Sequence, residues 1–187
     1  MRDKIHGVID IETGGTKIPS PLFRIGIAIV GVEGVPMPIK DIGVQPYTCL
    51  SSDCKMDAET LSWWIEQSDA ARKARDLEPR FHVNQALIAL NEFLTEHNVD
   101  YTWGNSPSFD QAHLLYFYDL HGIVPHKSLN YYNQMDLRTI RALYPPIKSR
   151  IKAHFSDRFP AHIAVNDAYA EAVGLVEYLN DIWRLYQ

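Results

Sequence analysis

The chain has 187 residues, 46% of them hydrophobic, and a formal net charge of −5. This length suits one domain with a substantial core, which we place over residues 1–187, and the composition is that of a soluble globular protein. No apolar run approaches the ~20 residues of a membrane span, and the N-terminus lacks a signal-peptide pattern. We therefore expect an intracellular, cytoplasmic protein with no membrane partner, whose two cysteines, Cys49 and Cys54, remain reduced.

The acidic balance excludes a large basic surface that coats nucleic acid. It does not exclude an enzyme that acts on nucleic acid, because catalytic acids add negative charge that bound metals offset locally. Basic residues also concentrate in one stretch, which contains Lys148, Arg150, Lys152, His154 and Arg158. The pattern leaves two interpretations open, namely a phosphate contact and a solvated loop.

The first half of the chain predicts an antiparallel meander followed by helices. A first strand ends near Glu12, a second covers residues 24–30 and a third covers residues 39–48. Their short connections favour antiparallel pairing. We then expect one helix from near Asp57 through residue 65, and another over residues 82–97, where apolar residues recur at helical spacing.

The second half predicts alternating strands and helices. A short strand over residues 100–103 precedes a helix with Ser108 as its N-cap and Gly122 as its stop. A shorter helix over 136–143 and a last helix over about 166–186, capped by Asn166, follow. The buried face of that last helix is expected to hold Ala172, Val176, Leu179, Ile182 and Trp183. The order of elements predicts an α/β fold, with a central mixed sheet that contains the meander and is flanked by α-helices.

Asp10 and Glu12 are the first candidate metal ligands. Residues two apart on a strand point to the same face, roughly 6–7 Å apart, so these two acids share a face that Ile9 and Ile11 do not. Neighbouring carboxylates raise each other's pKa unless a cation neutralises them, and hard oxygen donors favour Mg²⁺ or Mn²⁺. The alternative is a solvated strand end with incidental acids, and the pair alone does not decide between them.

Asp110 and Asp167 are the next candidates, because each opens a predicted helix. A helix N-terminus favours an acid by ~0.3–1 kcal/mol, so a helix-dipole role is the alternative for both. The surroundings of each residue favour a site. Phe109 can pack into the core and hold Asp110 at the edge of a cleft, and His162 can reach the same space as Asp167.

These segments resemble the motifs of a known nuclease family. Residues Asp10 to Thr13, residues 103–110 and the pair His162/Asp167 are similar to the three exonuclease motifs of the DnaQ-like DEDDh 3′–5′ exonucleases, in the ribonuclease H-like superfamily. The four residues between His162 and Asp167 separate this branch from the one that uses tyrosine. Residues 59–68 and 131–139 carry a closer resemblance to the phage exodeoxyribonuclease A, exodeoxyribonuclease VIII and bacterial ribonuclease AS groups.

The resemblance implies a ribonuclease H-like fold and a mechanism with two divalent metal ions, Mg²⁺ or Mn²⁺. Asp10, Glu12 and Asp167 would hold one ion, and Asp10 would bridge to a second ion supported by Asp110. The ions would sit ~3.5–4 Å apart and flank the scissile phosphate. His162 would act as the general base, and the products would be 5′-mononucleotides released from a 3′ end.

The phage-type resemblance favours single-stranded DNA slightly over RNA as the substrate. Candidate substrate contacts are Thr13, Asn105, Phe109, Arg138 and Trp64. Trp63 and Trp64 are adjacent on a helix and point about 100° apart, so at least one is expected in the core. Arg138 has a structural alternative, an ion pair with Asp136.

Two further histidines compete with His162 for the role of base. His113 and His154 could also approach a cleft, although a lone histidine is more often structural or exposed.

Two positions depart from the family pattern, since Met135 stands where a basic residue is frequent and Ile163 where an acid is frequent. Neither departure removes a metal ligand, but both leave the substrate contacts open.

Three alternatives to a DNA exonuclease remain at the level of sequence. The first is an exoribonuclease or oligonucleotidase on the same fold, which would need contacts to the 2′-hydroxyl that no motif here reports. The second is a non-catalytic nucleic-acid-binding module, and the third is a structural or inhibitory phage protein. The resembled groups are of phage or bacterial origin and include dimers, so a homodimer is an expectation for this chain.

Overall fold

A six-stranded sheet forms the centre of the computed structural model, which describes residues 4–31, 38–51, 53–156 and 159–185. The strands are His6–Thr13 (β1), Leu22–Val30 (β2), Ile39–Val44 (β3), Arg80–Phe81 (β4), Tyr101–Gly104 (β5) and Gln134–Asp136 (β6). Their order is β4-β3-β2-β1-β5-β6. The pairs β1/β2 and β2/β3 are antiparallel, whereas β4, β5 and β6 pair in parallel with β3, β1 and β5 respectively.

The helices of the described residues cover both faces of this sheet. They are Ala58–Glu66 (α1), Asp69–Arg75 (α2), Val83–Glu96 (α3), Asp110–Leu120 (α4), Leu137–Leu143 (α5), Pro146–Ala153 (α6) and Ala164–Leu185 (α7). On one face the isoleucines of β1 and β2, such as Ile9 and Ile27, pack against α3 and α4. On the other, Val8, Ala28 and Trp103 pack against α5, α6 and α7. This arrangement confirms the predicted α/β fold with a mixed sheet and a meander, and it is consistent with a ribonuclease H-like fold.

Gly26 on β2 allows α7 to begin directly against the sheet. A Cβ atom at this position would lie 2.1 Å from the carbonyl carbon of Ala164 and 2.4 Å from the nitrogen of Val165. Any side chain there would therefore collide with the first turn of α7. Gly26 also pairs with Asp10 on the neighbouring strand, so the close approach places the start of α7 beside the acids of β1.

The third strand is shorter than predicted. It ends at Val44, and Pro46–Thr48 form a 3₁₀ helix instead of extending the strand. Pro46 has no backbone N–H for a strand ladder, and its fixed φ suits the first position of a helical turn. The sequence also did not predict β4 or α2.

Two predicted helix caps are wrong. The hydroxyl of Ser108 contacts that of Ser106 at 2.7 Å, and Phe109, without a side-chain cap, precedes α4. Asn166 lies inside α7, which begins at Ala164, and its amide donates to the carbonyl of Pro160. The predicted stop of α4 is confirmed, because Gly122 follows its C-cap with φ of +61°.

The predicted buried face of α7 is confirmed at Ala172 and Val176, whereas Leu179 and Ile182 are partly buried. The side chain of Trp183 lies outside the described residues.

Among the described residues, no helix combines the length and apolarity needed to cross a membrane. Cys49 and Cys54 are buried free thiols.

The basic stretch around Arg150 forms α6 rather than a loop. Pro146 occupies the first turn of this helix, where a missing N–H has no cost. Arg150 pairs with Asp181 at 3.0 Å and Glu177 at 3.2 Å, both on α7. These ion pairs hold α6 to α7. Arg158 lies outside the described residues.

Candidate active site

Three of the predicted acids meet at the start of α7. Ligand oxygens of Asp10, Glu12 and Asp167 all lie within 4.8 Å of one another. Asp10 and Glu12 share one face of β1 because they are two residues apart, and Asp167 reaches them because Gly26 lets α7 begin against the sheet. The fold thus gathers residues from two distant parts of the chain into one acidic cluster.

Asp110 joins this cluster from the first residue of α4. It is 4% exposed, and its Oδ2 accepts the backbone N–H of Asn105 at 3.0 Å. The N–H of Ile11, between the two acids of β1, also stabilises its charged form. In turn, the charge of Asp110 raises the pKa values of Asp10 and Glu12. The structure thus places the four carboxylates of the sequence analysis close enough to affect one another, and their role as metal ligands stays a prediction.

Every member of the cluster holds its proton more tightly than usual. Burial, followed by the charge of Asp167, raises the pKa values of Asp10 and Glu12 well above their ordinary range. Burial raises the pKa of Asp110 to about 7, although backbone N–H groups oppose the rise. Burial likewise raises the pKa of Asp167 to about 6. Crowded carboxylates of this kind are destabilising unless a cation or protons neutralise them.

The donor set fits a hard divalent cation. All the ligand atoms available from Asp10, Glu12 and Asp167 are carboxylate oxygens, which are the donors that Mg²⁺ and Mn²⁺ prefer. Burial limits the access of water that would otherwise solvate these charges. The sequence alternative of an incidental, solvated strand end does not fit Glu12, which is 8% exposed.

His162 lies directly before the helix that carries Asp167. Its backbone φ is +61°, in the left-handed region that non-glycine residues rarely adopt. The next residue, Ile163, donates its N–H to Asp167 Oδ2 at 3.0 Å, which ties this turn to the acid. The residue is exposed overall, but its imidazole ring packs against Trp63 on one side, and this partial burial lowers its pKa. A neutral ring at neutral pH is the form that can accept a proton.

The two competing histidines are occupied elsewhere. His113 is fully buried, with its Nε2 2.8 Å from the Ser20 hydroxyl and its Nδ1 2.8 Å from the Phe109 carbonyl oxygen. It holds the loop after β1 against the start of α4. His154, at the C-cap of α6, faces the ring of Tyr169 edge-on at 6.4 Å.

Helix α1 is anchored to the turn that follows the acids of β1. Asp57 caps α1 by accepting the N–H of Glu59 at 3.1 Å, and its own N–H donates to the carbonyl of Gly14 at 2.7 Å. The indole N–H of Trp64 donates to the carbonyl of Thr13 at 3.0 Å. These bonds fix the position of α1 relative to Glu12.

A cavity of about 480 Å³ lies between α1 and the acids. It is lined by Ile11, Glu12, Thr13, Thr16, Asp57, Glu59, Thr60, Trp63, Trp64 and Phe109. Volumes of this size are typical of small-molecule sites that combine apolar walls with a few polar groups. Since Glu12 belongs to both, the cavity opens onto the acidic cluster.

The proposed substrate contacts fall in different environments. Thr13 and Phe109 line the cavity. Trp64 also forms part of its wall, but it is 1% exposed and its N–H is already used, so it does not offer a free face for stacking. Its neighbour Trp63, which is 39% exposed, does. The expectation that at least one of the two tryptophans packs into the core is confirmed.

Asn105 and Arg138 lie next to Asp110. The Arg138 guanidinium donates to the carbonyl of Asn105 at 2.9 Å, and Asp136 accepts the backbone N–H of Arg138 rather than its side chain. In the described part of the chain, Arg138 therefore makes no ion pair with Asp136. Burial raises the pKa of Asp110, and the charge of Arg138 opposes part of that rise, so a cation does flank the acids here.

Comparison with known families supports the nuclease interpretation. The sequence profile of one family, described as the 3′–5′ exoribonuclease Rv2179c-like domain, matches residues 5–183. The chain belongs to this family. None of the curated proteins searched gives a significant match. Membership in the Rv2179c-like family agrees with the acidic cluster and implies a nucleic-acid substrate.

This Rv2179c-like chain carries one buried acid that the sequence analysis missed. Glu171 lies on α7, four residues after Asp167, and is 5% exposed. Burial and then the charges of Asp110 and Asp167 raise its pKa well above the ordinary range. A signal was present in the sequence, since Ala164, Ala168, Glu171 and Leu175 recur at helical spacing, and that stripe is buried.

Proposed function

We propose that this chain is a metal-dependent 3′–5′ exoribonuclease of the DEDDh type. It hydrolyses the phosphodiester bond at the 3′ end of single-stranded RNA and releases 5′-mononucleotides. One observation carries the proposal, namely the approach of Asp10, Glu12 and Asp167 to within 4.8 Å, with Asp167 hydrogen-bonded to the backbone of His162 and Ile163. The family membership supports the same class of reaction.

Divalent cations, Mg²⁺ or Mn²⁺, would supply a water of lowered pKa and offset the charge of the scissile phosphate. Asp10, Glu12 and Asp167 would hold one cation, and Asp10 with Asp110 a second. His162 accepts the proton of the attacking water at a ring nitrogen, which the lowered pKa of the ring leaves unprotonated at neutral pH. Arg138 lies beside Asp110 and favours approach of the phosphate.

The apolar cavity accepts the base of the terminal nucleotide. Its wall carries Trp63 and Phe109, and aromatic faces stack on bases with ~1–3 kcal/mol each. Glu12 lines both the cavity and the acidic cluster, so a base held there leaves its phosphate next to the carboxylates. This arrangement favours a chain end over an internal position, because a terminal nucleotide unstacks from one neighbour only and an internal one from two.

The description of the family puts RNA ahead of the single-stranded DNA expected from the phage-type resemblance. We therefore assign RNA as the preferred substrate. A preference for RNA over DNA depends on contacts to the 2′-hydroxyl. Comparing the digestion rates of RNA and DNA oligomers of the same sequence therefore measures this preference.

The test is digestion of 5′-labelled single-stranded RNA and DNA oligomers with Mg²⁺, with Mn²⁺ and with EDTA. We expect stepwise shortening from the 3′ end of RNA, release of 5′-mononucleotides, and no reaction in EDTA. Asp10→Asn should abolish shortening. Asp119→Asn, an exposed change on α4, is the matched control and should leave the rate unchanged.

Two results would contradict the proposal. RNA that binds the protein without being shortened in Mg²⁺ or Mn²⁺ would indicate a non-catalytic binding module. If DNA were degraded faster than RNA, the protein would still be an exonuclease, but its preferred substrate would be DNA instead of RNA.

A further inference from the structure

Glu171 is a buried carboxylate that the mechanism above does not use. It follows Asp167 by four residues on α7, so the two side chains lie on the same face of the helix, one turn apart. Its side chain is 6% exposed. Its Oε2 atom is buried and has no hydrogen-bond partner among the described residues.

The surroundings of Glu171 are mostly negative. Burial, followed by the charges of Asp110 and Asp167, raises the pKa of Glu171, and the charge of Glu171 adds to the rise that burial causes at Asp10. The side chain of Asn105 lies beside Glu171 and stabilises its charged form, while the Oδ1 atom of Asn105 is buried without a hydrogen-bond partner in the described residues. Buried polar atoms without partners are rare, and a group of them commonly faces water or a cation.

A structural ion pair with Arg141 does not account for this arrangement. The Arg141 Nη1 atom lies 3.7 Å from Oε1 of Glu171, which is beyond hydrogen-bond length, and Arg141 itself is 26% exposed. This contact leaves Oε2 unsatisfied and offsets at most the charge of Glu171 itself, not those of the four other acids. A carboxylate that is buried among other acids destabilises the fold unless a cation neutralises its charge.

We propose that Glu171 is a fifth carboxylate of the metal centre, a positioning residue that raises the affinity of the site for divalent cations. It adds negative charge beside Asp110 and Asp167, and its free oxygen accepts a hydrogen bond from water that a bound cation orders. The inference rests on the proposed function, because it requires that the acidic cluster binds metal. It extends that function by assigning a residue outside the three exonuclease motifs.

The test is a calorimetric titration of the RNA-free protein with Mn²⁺, in the wild type and in Glu171→Gln. We expect the Kd for Mn²⁺ to rise by about 10- to 100-fold in the variant, the range found for residues that support metal ligands. Glu171→Asp should restore part of the affinity. Glu177→Gln removes an acid from the same helix that pairs with Arg150, and it should leave the Kd unchanged.

Thermal unfolding without metal separates this role from a purely structural one. Glu171→Gln should be as stable as the wild type or more stable, because it removes a buried charge from an acidic cluster. Arg141→Met should tighten Mn²⁺ binding, since it removes the positive charge next to Glu171. If Glu171 served only to bind Arg141, both variants would lose stability and neither would change the Kd.

The outcomes distinguish the two proposals. A wild-type protein that binds no Mn²⁺ would overturn the proposed function and this inference with it. A wild type that binds Mn²⁺ with the same Kd as Glu171→Gln would leave the exonuclease intact and overturn the role of Glu171.

Discussion

The indole ring of Trp63 stands edge-on against the imidazole ring of His162, with ring centroids 4.9 Å apart and planes at 84°. Trp63 also packs edge-on against Trp64, at 5.1 Å. Since Trp64 is bonded to the carbonyl of Thr13, this chain of contacts runs from β1 through two aromatic rings to the proposed base. Trp63 therefore restricts the orientations that the His162 ring can adopt.

Replacing Trp63 should slow catalysis by releasing His162. We expect Trp63→Ala to lower kcat by about 10- to 100-fold, since misplacing a catalytic group can cost about 100-fold. Trp63→Phe should retain much of the activity, because it keeps a ring edge against the imidazole. Steady-state kinetics on RNA would measure this, with Ile65→Ala, another exposed position on α1, as the control. Equal kcat values for Trp63→Ala and the wild type would rule out the positioning role.

Removing the proposed base should leave the metal site intact. His162→Ala is expected to lower kcat by ~10²–10⁴-fold, the usual contribution of general base catalysis. Burial lowers the pKa of His162 below the ordinary histidine value of ~6.5, so the ring is still neutral and active at a pH where a free histidine would be charged. The acidic limb of the pH–rate profile should therefore lie below pH ~6.5. His154→Ala should retain both rate and profile. The Kd for Mn²⁺ should be unchanged, and near-normal activity in His162→Ala would discard its assigned role.

The metal-free protein should lose stability as the pH rises. The pKa values of Asp110 and Asp167 are about 7 and about 6 in the fold, and ~3.9 in an unfolded chain. The fold therefore holds protons that the unfolded chain has already released, so this contribution is complete below pH ~4 and is lost as the pH passes through the folded values.

Thermal melts of wild type and Asp110→Asn over about pH 5 to about pH 8 would measure this effect. The variant should gain stability relative to the wild type as the pH rises, because asparagine carries no charge. Addition of Mg²⁺ should stabilise the wild type more at high pH than at low pH, since protons compete with the metal. A difference between the two proteins that stays constant with pH would contradict the assigned pKa values.

The contact between β2 and α7 should not tolerate a methyl group. Gly26→Ala would place its Cβ 2.1 Å from the Ala164 carbonyl carbon, so α7 must shift away from β1. We expect a loss of about 1–3 kcal/mol in the free energy of unfolding, together with weaker Mn²⁺ binding as Asp167 moves. Denaturant unfolding and calorimetry would measure both.

Gly31→Ala is the matched control, because its Cβ would make one ordinary contact, 3.9 Å from Ile5. Gly31→Ala should leave both the free energy of unfolding and the Kd for Mn²⁺ close to their wild-type values. If Gly26→Ala matched this control, the close approach would not be what positions Asp167.

The sequence predicted those parts of the site that depend on local periodicity. Asp10 and Glu12 share a face because of the strand repeat, and that rule holds in any sheet. The mixed sheet followed in the same way from the order of predicted elements. The third strand and the two helix caps failed where one residue outweighed the pattern, as Pro46 did by starting a 3₁₀ helix.

Features that depend on contacts between distant segments were beyond the sequence. Glu171 falls on the stripe of α7 that helical spacing marks as buried, but its place beside Asp110 follows only once α7 is laid on the sheet. The contact of Trp63 with His162 joins residues almost one hundred positions apart, and no local rule pairs them. The role of Gly26 could not be predicted for the same reason, because the sequence does not show that the first turn of α7 packs against this glycine.

The two walls of the site differ in how firmly the fold holds them. The acids of β1 lie on an interior strand, which pairs with β2 along its whole length and with β5 over residues 6–8. The opposite wall is α1, a short helix whose one fully buried residue is Trp64. Amide hydrogens of α1 should therefore exchange with solvent sooner than those around Asp10, through local opening that leaves the strand intact. A nucleotide could then enter and leave beside α1 while the carboxylates keep their arrangement.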